Sequence, residues 1–92
     1  MNNDYTISEI IGNKIKLLRK EKGLSLTHVA KIIGISEQQQ LRYERGTNRI
    51  SIDRLKQYSD FFNKNIIYFF NFNDFEKKEI ENHKINNKNK GD

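Results

Sequence analysis

The stretch Gly23–Arg49 (GLSLTHVAKIIGISEQQQLRYERGTNR) constrains the fold of this chain more than any other. It reads as two short helices joined by a tight glycine turn. Ser25 is placed to cap the first helix, and Val29, Ala30 and Ile33 then fall on one face at helical spacing. Gly34 stands where that helix must end, a position that often requires positive φ. Ser36 is placed to cap the second helix, with Gln39 three residues on completing a capping box. Small Ala30 lets the two helices cross closely. The second helix carries Glu37, Gln38, Gln39, Gln40, Arg42 and Arg45. Gln and Arg make two-pronged hydrogen bonds to adenine and guanine edges, so a helix with this outer face suits the DNA major groove.

The rest of the chain also reads as helical, giving an all-α fold. Thr6-Ile7-Ser8-Glu9 forms a capping box able to start a first helix, in which Ile7, Ile11, Ile15 and Leu18 share one face and Lys14, Lys16 and Lys20 point elsewhere. Gly23 closes it. The second and third helices cover about 26–33 and 37–45, and Gly46 ends the third. Ser51 caps a fourth helix, with Asp53 in its first turn and an apolar face of Ile52, Leu55, Tyr58 (or Ser59) and Phe62. A short fifth helix is expected from about Ile66 to Asn71. The organisation is therefore one compact five-helix domain over 1–75, followed by a polar tail over 76–92 that is a frayed helix or disordered.

The net charge is +5, and residues 1–50 hold nine of the seventeen cations against five of the twelve anions. The excess lies where the two-helix motif lies and favours an anionic partner. Abundant Lys can reflect base composition alone, but that does not explain Arg42, Arg45 and Arg49 on one short stretch. No Cys is present, which excludes disulfides, thiolate zinc sites and Cys nucleophiles. The longest apolar run, Ile66–Phe70, is far too short to span a membrane. The first ten residues do not read as a signal peptide, so a cytoplasmic protein of bacterial or phage-like origin is expected. His28 and His83 lie far apart with no ligand spacing around either, and no glycine loop able to cradle phosphate occurs. Neither a metal, a cofactor nor an enzymatic activity is expected.

In order and spacing, IGNKIKLLRKEKGLS, HVAKIIGIS, YERGTNRIS and DRLKQYSDFF resemble the lambda-repressor-like helix-turn-helix family (the Cro/repressor or xenobiotic-response-element type) from about Ile11 to Phe70. The resemblance implies a recognition helix beginning near Glu37. It implies base contacts by Glu37, Gln38, Leu41 and Arg42, with Gln38 suited to adenine and Arg42 to guanine. Glu37 either accepts from a cytosine amino group or simply sits where the helix dipole favours its charge. Arg45, Thr47, Asn48 and Arg49 match the loop that grips the sugar–phosphate backbone. Ser25, Thr27, Gln39 and the Tyr43 hydroxyl are further backbone candidates, while the Tyr43 ring matches a core position. Arg19 matches the arginine that pairs with a glutamate at the end of the recognition helix, here Glu44, as a structural ion pair.

Two positions depart from the family pattern. Leu26 stands where a phosphate-contacting Gln is frequent. Gln40 stands where Ile or Val usually enters the core, and a buried unpaired amide costs on the order of 1–3 kcal/mol. Either Gln40 lies at the core edge with a hydrogen-bond partner, or the helix is rotated and Leu41 packs inward. A single recognition helix reads few base pairs, so a homodimer on near-palindromic half-sites of double-stranded DNA is implied. Phe61, Phe62, Ile66, Ile67, Tyr68, Phe69, Phe70, Phe72 and Phe75 exceed the needs of one small core. Ile66, Tyr68, Phe69, Phe72 and Phe75 are the expected dimer surface. The implied function is a sequence-specific transcriptional regulator, most simply a repressor. The competing reading is a protein-interaction module, such as an antitoxin or bridging factor, working through exposed aromatics and the tail around Ile80 and Ile85; a regulatory protein partner is compatible with either.

Overall fold

The computed structural model describes residues 6–90, with side chains described through residue 82. Its elements run α1 (Thr6–Glu21), α2 (Leu26–Ile33), α3 (Glu37–Arg45), α4 (Ile52–Phe61), a 3₁₀ turn (Ile66–Phe70) and α5 (Asp74–Lys90), with no strand among the described residues. Local chemistry sets most boundaries. Ser25, Ser36 and Ser51 each sit in extended backbone before a helix and accept from the N–H three residues on, His28, Gln39 and Arg54, at 3.0 Å each. Each hydroxyl thereby satisfies one of the donors that a helix start leaves unpaired. Gly34 and Gly46 end α2 and α3 in the left-handed region, at φ 91° and 76°. A side chain at either would strain the backbone.

The core joins Ile11, Ile15 and Leu18 of α1, Val29 and Ile33 of α2, Leu55 and Tyr58 of α4, Phe62, and Phe69 of the 3₁₀ turn. Ala30 is buried beside them, 2 % exposed. Helix α3 contributes no fully buried apolar side chain; its two buried residues are Gln40 and Glu44. It is instead held close to α1 by backbone proximity. A Cβ on Gly12 would stand 2.1 Å from the Tyr43 carbonyl oxygen, and one on Gly46 would stand 2.4 Å from the Glu9 Cα. From the far side, Arg54 and Gln57 of α4 both donate to the Ile33 carbonyl at the end of α2, at 3.3 and 3.2 Å.

Several expectations are corrected. Thr6 already lies inside α1, so it does not flank the helix as a cap. Ile7 and Ile52 are 43 % and 64 % exposed. They sit in the first turns of their helices, beyond the core, and border an apolar depression of about 190 Å³ with Ile11, Ile50, Leu55 and Phe70. Gln39 does not close the capping box: its side-chain oxygen accepts from Asn48 Nδ2 at 3.5 Å. The fifth helical segment is a 3₁₀ turn, and a longer helix follows it from Asp74. That helix begins with a reciprocal box, in which the Glu76 carboxylate accepts from the Asn73 N–H at 2.8 Å and Asn73 Oδ1 accepts from the Glu76 N–H at 2.7 Å. The 75/76 boundary therefore falls within its first turn, and Glu76 reaches α1 through Lys14 at 3.8 Å. Phe69 is fully buried, which removes it from the dimer surface. The leader reading of residues 1–5 and the side chains of His83 and Ile85 lie outside the described residues.

Candidate nucleic-acid interface

Helix α3 has two chemically distinct faces. Its outward residues Gln38, Leu41, Arg42 and Arg45, with Thr47 from the following loop, line an open groove of about 350 Å³. Gln38, Arg42, Arg45 and Thr47 are exposed and Leu41 is half-buried. Glu37, at the first position of α3, accepts a hydrogen bond from the Thr27 hydroxyl of α2. One Glu37 oxygen and the Thr27 hydroxyl are thus engaged with each other across the turn. The Ser25 oxygen is occupied as a helix cap.

The loop after α3 is tied back to it. The Gly46 N–H donates to the Tyr43 carbonyl at 3.1 Å, and the Thr47 N–H and hydroxyl donate to the Arg42 carbonyl at 3.0 and 3.3 Å. Asn48 is held to Gln39 as described above. These bonds fix Thr47 and Asn48 relative to the helix. Arg49 lies farther along, at the rim of the apolar depression.

The inward face is a four-residue polar chain. Arg19 Nε and Nη2 donate to the two oxygens of Glu44 at 2.7 and 2.9 Å, and Nη1 donates to the Leu24 carbonyl at 3.0 Å. Two parallel bonds of this kind give direction as well as attraction. Gln40 Nε2 donates to Glu44 Oε2 at 2.8 Å, and the Tyr58 hydroxyl donates to Gln40 Oε1 at 2.6 Å. Gln40 and Tyr58 are both 0 % exposed. Of the alternatives for this position, Gln40 faces inward. It lies in the core itself, deeper than the edge, and Leu41 stays partly exposed, so α3 keeps the register on which the base-contact assignments depend. Burial, with lesser contributions from Tyr43 and Glu44, pushes the Tyr58 phenol well above its ordinary range, which keeps it a donor. The hydrogen bond to Glu44 holds the Arg19 guanidinium above its usual value. The Tyr43 ring meets Tyr58 edge-on, with centroids 6.3 Å apart.

Sequence reasoning missed the Tyr58 hydroxyl, the Arg54–Gln57 clamp and the close approach at Gly12. Only the last had a local signal, a glycine in mid-helix. Among the described residues, no group of three His, Cys, Asp or Glu could hold a metal ion, and no helix is long and apolar enough to cross a membrane.

A family model described as Helix-turn-helix matches residues 15–69, more than half of the chain. The chain belongs to the lambda-repressor-like helix-turn-helix family. An uncharacterised helix-turn-helix-type transcriptional regulator of Rickettsia conorii is 44 % identical over 64 residues, covering 70 % of this chain and 51 % of that protein. A relative of the same description from Sinorhizobium medicae is 37 % identical over 60 residues, 65 % of this chain and 43 % of its own length. The chain thus spans about half the length of these helix-turn-helix relatives. The crystal structure of the clp gene regulator ClgR from C. glutamicum superposes with a TM-score of 0.65 at 20 % identity, over 70 % of this chain and 83 % of that one. At that identity the likeness is one of fold.

Proposed function

We propose that this helix-turn-helix chain is a sequence-specific DNA-binding transcriptional regulator, acting as a dimer on near-palindromic sites and most simply as a cytoplasmic repressor that occludes a promoter. The observation that carries this reading is the two-faced α3. Gln38, Arg42 and Arg45 face an open groove while Gln40 and Glu44 anchor the opposite side. Within the reading, Gln38, Leu41 and Arg42 meet base edges, with Glu37 contributing through the oxygen that Thr27 leaves open. Arg45, Asn48 and Arg49 grip phosphates, assisted by Ser25, Gln39 and Tyr43, while Thr47 and Thr27 join them by exchanging their present acceptors, the Arg42 carbonyl and Glu37, for a phosphate oxygen. The dimer surface is drawn from Ile66, Tyr68, Phe72 and Phe75. Phe75 is 71 % exposed, and neighbouring Ile67 is 67 % exposed. Tyr68 is already partly engaged, with the Lys14 and Lys64 ammonium groups 5.4 and 5.0 Å from its ring centroid.

The test is selection of bound sites from random duplex DNA at physiological salt. A two-fold motif with half-sites about one helical turn apart is the expected result. Recovery of no motif would overturn the reading. It would favour a protein-interaction module, for which the exposed Ile7, Ile52 and Phe70 around the apolar depression offer a surface.

A further inference from the structure

We propose that Gln40 is the positioning residue that fixes the rotation of α3 about its own axis, and through it which side chains reach base edges. The proposal deepens the DNA-binding reading and rests on it. Helix α3 is only nine residues long, and both of its fully buried side chains are polar. Apolar packing is non-directional and tolerates small rotations. Hydrogen bonds have preferred angles and do not. Gln40 and Glu44 stand four residues apart and so share one face of the helix. That face is tied to α1 through Arg19 and to α4 through Tyr58.

The direction of every bond in the chain follows from chemistry. Ionised Glu44 is an acceptor only, so Gln40 must turn Nε2 toward it. Gln40 Oε1 then faces Tyr58, which must donate. Reversing the amide would set oxygen against oxygen at Glu44, so the network has one arrangement. A helix free of this restraint loses precision quickly. Turning it ~20° moves an atom ~6 Å from the axis by ~2 Å. Recognition groups must be held within about 0.5 Å and 10–20° of their working geometry. The Arg19–Glu44 pair and the close backbone approaches at Gly12 and Gly46 hold α3 against α1, and the Tyr43 ring touches Tyr58; Gln40 adds the directional link to α4.

The test uses the full chain with Gln40→Met and Tyr58→Phe combined, which removes the link while leaving no polar atom of either side chain unpaired. Glu44 keeps both bonds from Arg19. Thermal unfolding establishes that this chain folds cooperatively; should it not, Gln40→Ile with Tyr58→Phe carries the same test. Two readouts follow. Residual dipolar couplings of the Glu37–Arg45 N–H vectors report the orientation of α3 relative to α1. The ratio of affinity for the selected site to affinity for random duplex reports sequence reading. We expect α3 to reorient by about 10° or more or to average over orientations. The affinity ratio should fall about three- to tenfold, as when a base contact is weakened without being removed. The salt dependence should stay unchanged, because no phosphate contact is touched. Parental α3 orientation in the double variant would overturn the proposal, as would a reoriented helix with an undiminished ratio. A parental chain that selects no motif would overturn the DNA-binding reading, while the orientation measurement would still judge the anchor on its own.

Discussion

Gly12→Ala separates helix propensity from tertiary geometry, because the two predict opposite signs. Gly12 sits in the interior of α1, where replacing Gly by Ala ordinarily stabilises a helix by about 1 kcal/mol. Here the added methyl would lie 2.1 Å from the Tyr43 carbonyl oxygen and 2.9 Å from that of Glu44. Ordinary carbon–oxygen contact is more than 1 Å longer than the first distance and also exceeds the second, and both obstacles are backbone, with no rotamer to escape into. Either α1 or the end of α3 must shift. Overpacking of this kind costs about 1–3 kcal/mol, and a rigid backbone obstacle places the cost in the upper half. After the propensity gain, a net loss of about 1–2 kcal/mol is expected. A chain of this size holds only about 5–10 kcal/mol in total, and such a loss lowers the melting temperature by roughly 5–15 °C. Urea denaturation is the assay, with the midpoint falling and the m-value unchanged. Because the displaced end of α3 carries Arg42 and Arg45, affinity for the selected DNA site should fall as well. A Gly12→Ala chain as stable as its parent would refute the argument, since it would mean that α1 and α3 do not meet through bare backbone.

Arg42→Ala should weaken binding to the selected site by about 1–3 kcal/mol and relax preference at one base pair. Equal losses on selected and random duplex would remove it from the base-reading set. Arg49→Ala should weaken binding to all sequences and lower the slope of log affinity against log salt by about one, and an unchanged slope would exclude a phosphate contact. Tyr58 supplies a pH dependence. Its phenol is raised in the folded state above the ordinary value of 10.0, so the folded chain holds this proton more tightly than the unfolded one. The stabilisation is fully present below pH 10 and is lost as pH rises beyond it toward the folded value, by up to about 1.4 kcal/mol per pH unit. Tyr58→Phe should flatten that part of the alkaline unfolding profile. It should also cost about 1–3 kcal/mol at neutral pH by leaving Gln40 Oε1 without a donor. An alkaline profile identical in both chains would show that the buried phenol does not titrate with unfolding.

The all-helical fold was legible because its boundaries are written in local chemistry. Ser25, Ser36 and Ser51 act within three residues of themselves, and Gly34 and Gly46 act where they stand. The Arg19–Glu44 pairing came from the family resemblance, since nothing in a spacing of 25 residues announces it. What stayed hidden is non-local. Tyr58 reaches Gln40 across 18 residues, and Arg54 reaches the Ile33 carbonyl across 21. Apolar counts signalled more large side chains than one core needs, but not which would stay outside. Ile66–Phe70 is apolar at every position, so its pattern has no period to distinguish buried Phe69 from exposed Ile67. The helix from Asp74 had a local signal in Asn73 and Glu76, a cap and its partner three residues on, but the polar residues that follow offer no apolar stripe to extend it.

Three buried acceptors of the two-helix motif are served from outside it. The Ile33 carbonyl is served by Arg54 and Gln57, the Gln40 amide by Tyr58 and the Glu44 carboxylate by Arg19. Cut out as a peptide, residues 23–49 would expose those acceptors to water and lose the surfaces that order them. The motif is therefore not a cassette that can be lifted onto another scaffold. The smallest transplantable unit runs from α1 through the 3₁₀ turn, because Phe62 and Phe69 complete the core beneath α4, and a chimera that respects those limits would inherit the recognition surface together with the frame that aims it.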